Sequence, residues 1–135
     1  MSNKKVCKQY PNDQYGPCAP DISGKWDRYK SVIATEEGVT TTKNSLSQAE
    51  VTQDNLYFDW EDKHGKRIGM LYPVGKCWEA KSVDDEDNGT MTYQITKIKN
   101  GKATKMIATY TEAGHSTTTP AQNPRVAIEN WYRID

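Results

Sequence analysis

The chain has 135 residues, and its eighteen basic side chains cancel eighteen acidic ones. That is enough chain for one domain, without the basic stripe that a nucleic-acid partner requires. The apolar fraction is 35 %, mean hydropathy is −0.91, and no stretch approaches the ~20 apolar residues of a membrane span.

Four Trp and eight Tyr exclude a disordered chain. There is a single Phe, so most large rings carry a polar tip, and buried Tyr and Trp generally need a hydrogen-bond partner. A closed sheet with a partly polar interior satisfies both facts. As written, Met1–Val6 has no apolar segment after Lys4 and Lys5, so it does not read as a signal peptide. A cytoplasmic protein and an exported one with its leader removed both stay open. Cys7, Cys18 and Cys77 are an odd count. Cys7 and Cys18 either bridge the loop between them or stay reduced, as in a cytosolic protein. The spacing of Cys and His does not suit zinc, and no cofactor is expected.

Residues 1–21 read as an irregular leader, broken by Pro11, Pro17 and Pro20, and residues 22–135 as a barrel domain. From Gly24 onward, short runs of Tyr, Trp, Thr, Ile and Val alternate with turn residues. Eight strands are predicted: Gly24–Ala34, Leu46–Gln53, Leu56–Asp62, Arg67–Pro73, Cys77–Val83, Thr90–Ile98, Lys102–Thr111 and Val126–Ile134. Asn88-Gly89 and Asn100-Gly101 are the strongest hairpin signals, since both central residues of a type I′ turn need positive φ. Glu37–Asn44 and Glu112–Arg125 read as long connections, where binding residues commonly sit. No window keeps a 3.6-residue period, so little helix is expected. The fold class is all-β: a single eight-stranded antiparallel up-and-down barrel.

Alternation suggests the inward faces. The sets are Leu56, Phe58 and Trp60; Ile68, Met70 and Tyr72; Trp78 and Ala80; Met91, Tyr93 and Ile95; and Met106, Ala108 and Tyr110. The last strand is ambiguous, with Val126, Ile128, Tyr132 and Ile134 opposing Trp131 and Arg133. If Trp26 faces inward, so do Arg28, Lys30 and Val32.

Gly24-Lys25-Trp26 in the first strand, with Arg133 in the last, resembles the calycin superfamily of lipocalins, avidins and fatty-acid-binding proteins. The resemblance implies that Trp26 plugs the closed end of the barrel and that Arg133 packs over it. An indole closes a small hole, and a guanidinium stacks well on its face. The chain departs from that group in lacking the Thr-Asp-Tyr motif, a final helix and an inserted helix pair. Its length is most similar to avidin, yet Arg28 stands where a small polar residue is wanted, so biotin binding is not implied.

Arg28 and Lys30 admit two readings. Facing inward, they form a cavity for a carboxylate or enolate on an aromatic ligand, because buried cations need partners. Alternatively a bulge after Asp27 returns both to solvent, which is the simpler arrangement. Phe58, Trp60, Met70, Tyr72, Trp78, Tyr93 and Tyr110 either line a pocket or pack as core; their polar tips favour the pocket. Asp84–Asp87 reads as a solvated hairpin tip rather than a calcium loop. His64 and His115 lack an evident nucleophile and orienting partner.

The leading function is therefore binding of a small hydrophobic or aromatic molecule in the barrel, with a homo-oligomer left open. An alternative is a cofactor-independent isomerase or cyclase, with Lys30, Tyr72, Glu79, Tyr93 and Tyr110 as proton-transfer candidates. A third is a loop-mediated or lectin-like interaction module. A cavity above ~300 Å³ with convergent polar groups separates the first two from the third.

Overall fold

A computed structural model describes residues 19–62, 65–84, 89–112 and 125–134. Nine strands follow in chain order: β1 (Gly24–Thr35), β2 (Gly38–Ser45), β3 (Ala49–Asp54), β4 (Tyr57–Asp62), β5 (Gly65–Val74), β6 (Cys77–Asp84), β7 (Gly89–Lys99), β8 (Lys102–Glu112) and β9 (Arg125–Ile134). All neighbours pair antiparallel. β1 pairs with β9 from Lys25↔Ile134 to Thr35↔Arg125, which closes the sheet. Eight strands make the closed barrel and β2 is an extra one. Among the described residues there is no helix, and so none able to cross a membrane.

Closure is secured at one end by the residues around Trp26, which is fully buried. Its indole Nε1 donates to the Ile22 carbonyl at 2.9 Å. The Arg133 guanidinium lies 4.9 Å from the Trp26 ring centroid. It donates to the carbonyls of Ala103 at 2.6 Å, Asp21 at 2.8 Å and Ser23. The glycine of the Gly-x-Trp triplet has a steric cause: Gly24 sits at φ 115, and a Cβ there would stand 2.7 Å from Arg133 Nη1. Ile22 is buried beside this plug, and Asp21 bridges to Lys102. The short stretch before β1 therefore seals the barrel floor. Residues 1–18, which hold most of the expected leader together with Cys7 and Cys18, lie outside the described residues.

The Asn100-Gly101 turn has the expected positive φ values, 54° and 77°. The expected inward sets of β4, β6, β7 and β8 hold, with Phe58, Trp60, Trp78, Ala80, Met91, Tyr93, Ile95, Met106 and Ala108 buried. Leu56 and Tyr110 are partly buried against that core. On β9 the Trp131 phase faces inward, with Ala127 and Glu129. Asn88, His64, His115, Asp85–Asp87 and the residues numbered 113–124 lie outside the described residues.

Four expectations are corrected. The stretch Glu37–Asn44 is not a loop: the turn is confined to Glu36 and Glu37, and the β-branched Val39–Thr42 extend as β2. The second expected strand begins at Ala49 rather than Leu46, because Leu46–Gln48 form a kink between β2 and β3. On β5 the phase is inverted. Arg67 and Leu71 are buried, whereas Ile68 is 54 % and Met70 42 % exposed, and Tyr72 faces outward with them. Gly69 is the reason for this choice of face: a Cβ there would lie 2.5 Å from Phe58 Cζ, so the Phe58 ring occupies the space a side chain would need. Finally, the bulge in β1 falls at Ser31, not after Asp27. Lys30 pairs with Glu129 and Val32 with Ile128, so β1 carries one extra residue there. Arg28 and Lys30 keep the phase of Trp26, and Val32 is turned away from it.

Replacing Trp26 by Ala should destabilise the fold by about 3–5 kcal/mol as a core truncation. Chemical denaturation measures it, and a loss below about 1 kcal/mol would mean that Trp26 does not close the barrel.

Candidate functional site

The barrel interior is layered. Trp60, Tyr93 and Trp131 form a central cluster, with ring centroids 5.1 Å apart for Trp60–Trp131 and 5.5 Å for Tyr93–Trp131, both edge-to-face. Phe58 meets Tyr93 edge-on at 5.5 Å, and Trp26 meets Trp131 at 6.1 Å. The polar tips are satisfied internally. Trp60 Nε1 donates to Tyr93 Oη at 2.8 Å, and the Tyr93 and Ser82 hydroxyls are 2.7 Å apart. Complete burial raises the Tyr93 pKa to about 12, against the opposing hydrogen bonds from Ser82 and Trp60. This half of the barrel is filled.

Alternation carries the next inward residues into an ionic layer. Arg28 and Arg67 are only 6 % and 7 % exposed, and their guanidinium carbons lie 4.8 Å and 4.7 Å from the Trp60 centroid. Arg28 Nε and Nη2 donate to Glu129 Oε1 at 3.1 Å and 3.0 Å, and Nη2 also reaches Oε2 at 3.2 Å. Arg28 Nη1 donates to the Ser47 carbonyl at 3.2 Å and stands 3.6 Å from Asp62 Oδ2. Arg67 Nη1 donates to Asp62 Oδ1 at 2.6 Å, and Nη2 lies 3.4 Å from Asp84 Oδ2. Glu129 Oε1 also accepts from Trp131 Nε1 at 3.0 Å. The result is an alternating series, Glu129–Arg28–Asp62–Arg67–Asp84, spanning five strands and resting on indole faces. Burial alone lowers the Arg67 pKa, but the hydrogen bond and charge of Asp62, followed by the charge of Asp84, outweigh it and raise the value.

Beyond this layer the barrel is hollow. A cavity of about 390 Å³ is bounded by Arg28, Lys30, Arg67 and Arg125, by the carboxylates of Asp62 and Glu129, and by the apolar surfaces of Leu46, Met91 and Tyr110. Lys30 is half-buried, and among the described residues no ion pair or hydrogen bond engages its side chain. Arg67 Nε is buried without a hydrogen-bond partner among the same residues. Arg125 pairs with Glu112 at 2.8 Å, and Tyr110 Oη donates to Glu112 Oε2 at 3.2 Å.

Of the residues singled out from sequence, the cavity brings together Arg28, Lys30 and Tyr110. Trp60 and Tyr93 are packed beneath it, and Phe58 and Trp78 belong to the core cluster. Met70 and Tyr72 lie on the outer surface. There Tyr72 Oη approaches Glu79 at 3.4 Å, and its pKa is raised by burial first and by Glu79 second. The simpler reading of Arg28, exposure to solvent, is overturned: it is buried with Glu129, diagonal to it on β9, and Asp62 on β4 as its partners. Asp62, Arg67, Asp84 and Glu129 were not anticipated. For Glu129 a signal existed, since it shares the phase of Trp131 and stands across the ladder from the Arg28 phase.

Comparison with protein-family models, with curated proteins and with solved structures finds no match to this chain.

The phenol of Tyr93 makes stability fall in strong alkali. The folded state holds the proton up to about pH 12, whereas an unfolded tyrosine releases it near pH ~10. The contribution is therefore complete below pH ~10 and lost by about pH 12, amounting to up to about 3 kcal/mol. Denaturation midpoints across that window should drop less steeply in Tyr93→Phe; parallel curves for the two proteins would exclude this role.

Proposed function

We propose that this protein is a calycin-like barrel, residues 22–135, that binds a small molecule at the end opposite Trp26. The ligand combines an anionic or strongly accepting group with an apolar portion. The observation that carries this reading is the cavity of about 390 Å³, where Lys30 has no ionic partner among the described residues while Arg28, Arg67 and Arg125 are each paired to carboxylates. That volume lies within the range of small-molecule sites, ~300–1,000 Å³. Arg28 and Arg67 supply its floor and are themselves committed to carboxylates, so Lys30 is the cation available to a ligand. Leu46, Met91 and Tyr110 offer the apolar wall.

The closed eight-stranded barrel and the Trp26–Arg133 plug support a calycin-like assignment. The ring-lined pocket expected from sequence gives way to a site set above the rings, with the aromatic cluster serving as a rigid base. Rigidity there favours binding, because fewer side chains must be ordered when the ligand arrives.

Titration calorimetry with 4-phenylbutyrate and its neutral analogue 4-phenylbutanol tests the reading. The carboxylate should bind at least about ten-fold more tightly than the alcohol, a difference of ~1.4 kcal/mol. Lys30→Gln should remove that preference while leaving the denaturation midpoint unchanged. Equal binding of the two probes, or no heat from either, would contradict it.

A further inference from the structure

The outer edge of β2 stands beside the cavity. β2 pairs with β1 from Tyr29↔Ser45 to Thr35↔Gly38, and among the described residues its opposite edge pairs with no strand. β3 continues the same path, but it pairs with β4 only from Thr52↔Asp59 to Asp54↔Tyr57. Among the described residues no ladder joins β2 to the last residues of β4, an opening in the hydrogen-bonded wall that the Arg28 guanidinium spans between the Ser47 carbonyl and Asp62. Ser45–Ser47 stand on one side of this opening and Asp62 on the other, and both sides border the cavity. An extended backbone laid along β2 would pass the cavity mouth.

Two features suit that edge to a partner strand of particular chemistry. Gly38–Ser45 reads Gly-Val-Thr-Thr-Thr-Lys-Asn-Ser, with no proline to interrupt a ladder and with Val39 72 % exposed. Its one charged residue is Lys43, and the cavity next to Ser45 holds the uncommitted ammonium of Lys30. Edge and cavity therefore each offer one lysine without an ionic partner among the described residues, Lys43 and Lys30, and β2 itself carries no acidic residue.

We infer that β2 accepts an extended acidic peptide by strand addition, antiparallel to β2. An acidic side chain near the N-terminus of the peptide then meets Lys30 in the cavity. Main-chain hydrogen bonds provide the affinity, and the buried charge provides the selection. The inference rests on the anion-binding reading of the cavity and names the class of molecule that bears the anion.

The test uses fluorescence anisotropy of a short Thr/Val peptide with one N-terminal-proximal Glu and a C-terminal fluorophore. Two further versions carry N-methyl groups on alternate residues, in complementary phases. Strand addition predicts that one phase weakens binding by at least about ten-fold and the other does not, because only alternate N–H groups face β2. Glu→Gln in the peptide and Lys30→Gln in the protein should each weaken binding by a similar factor. Equal behaviour of the two methylated phases overturns the inference. So does concentration-dependent dimerisation through β2 in sedimentation velocity. Failure of every peptide while 4-phenylbutyrate still binds overturns it too, and leaves the cavity reading intact.

Discussion

Two guanidinium groups are held inside this barrel, and the arrangement of its interior depends on their being neutralised there. A buried cation without a partner costs several kcal/mol, while a paired one returns little net stability. Asp62 answers both, touching Arg67 Nη1 at 2.6 Å and standing 3.6 Å from Arg28 Nη1. Glu129 and Asp84 complete the series at either end. Because these five groups come from β1, β4, β5, β6 and β9, the ionic layer also ties together strands far apart in sequence. The Trp60 indole serves as its platform, with both guanidinium carbons within 4.8 Å of the ring centroid.

That layer separates two halves with different physical characters. On the side of Trp26, rings pack closely and their N–H and O–H groups are satisfied within the barrel, by Ile22, Ser82, Glu129 and one another, so the interior is dense. On the other side, charged and polar atoms face a hollow. Strong pairing keeps Arg28 and Arg67 fixed in position, whereas Lys30 and Tyr110 reach the space above them. A ligand would therefore meet an organised polar floor rather than a flexible one.

Much of the architecture was legible because period-2 patterning and turn chemistry are local. The strands from Leu56 onward, the Asn100-Gly101 turn and the inward phase of Trp78, Met91 and Tyr93 all follow from neighbouring residues. β2 was not legible: Thr-rich edge strands exposed on nearly every position lack the apolar alternation by which strands are recognised. β5 misled for the opposite reason. Its most apolar phase, Ile68 and Met70, pairs with Tyr57 and Val83 on the outer surface, while Arg67 and Gly69 face inward. Charge on the inner face is visible only once its partners on β4 and β6 are known. The same limit applies to Arg28, whose partners Glu129 and Asp62 stand on other strands.

The central claim is that the hollow above the ionic layer, and not the ring cluster below it, receives the ligand. Amide and indole NMR shifts recorded during titration with 4-phenylbutyrate test this most directly. The account predicts movement at Ser45, Leu46, Ser47 and the Trp131 indole N–H, with the Trp26 indole unmoved. Shifts centred on Trp26 and Arg133, or spread evenly over the outer surface, would contradict it.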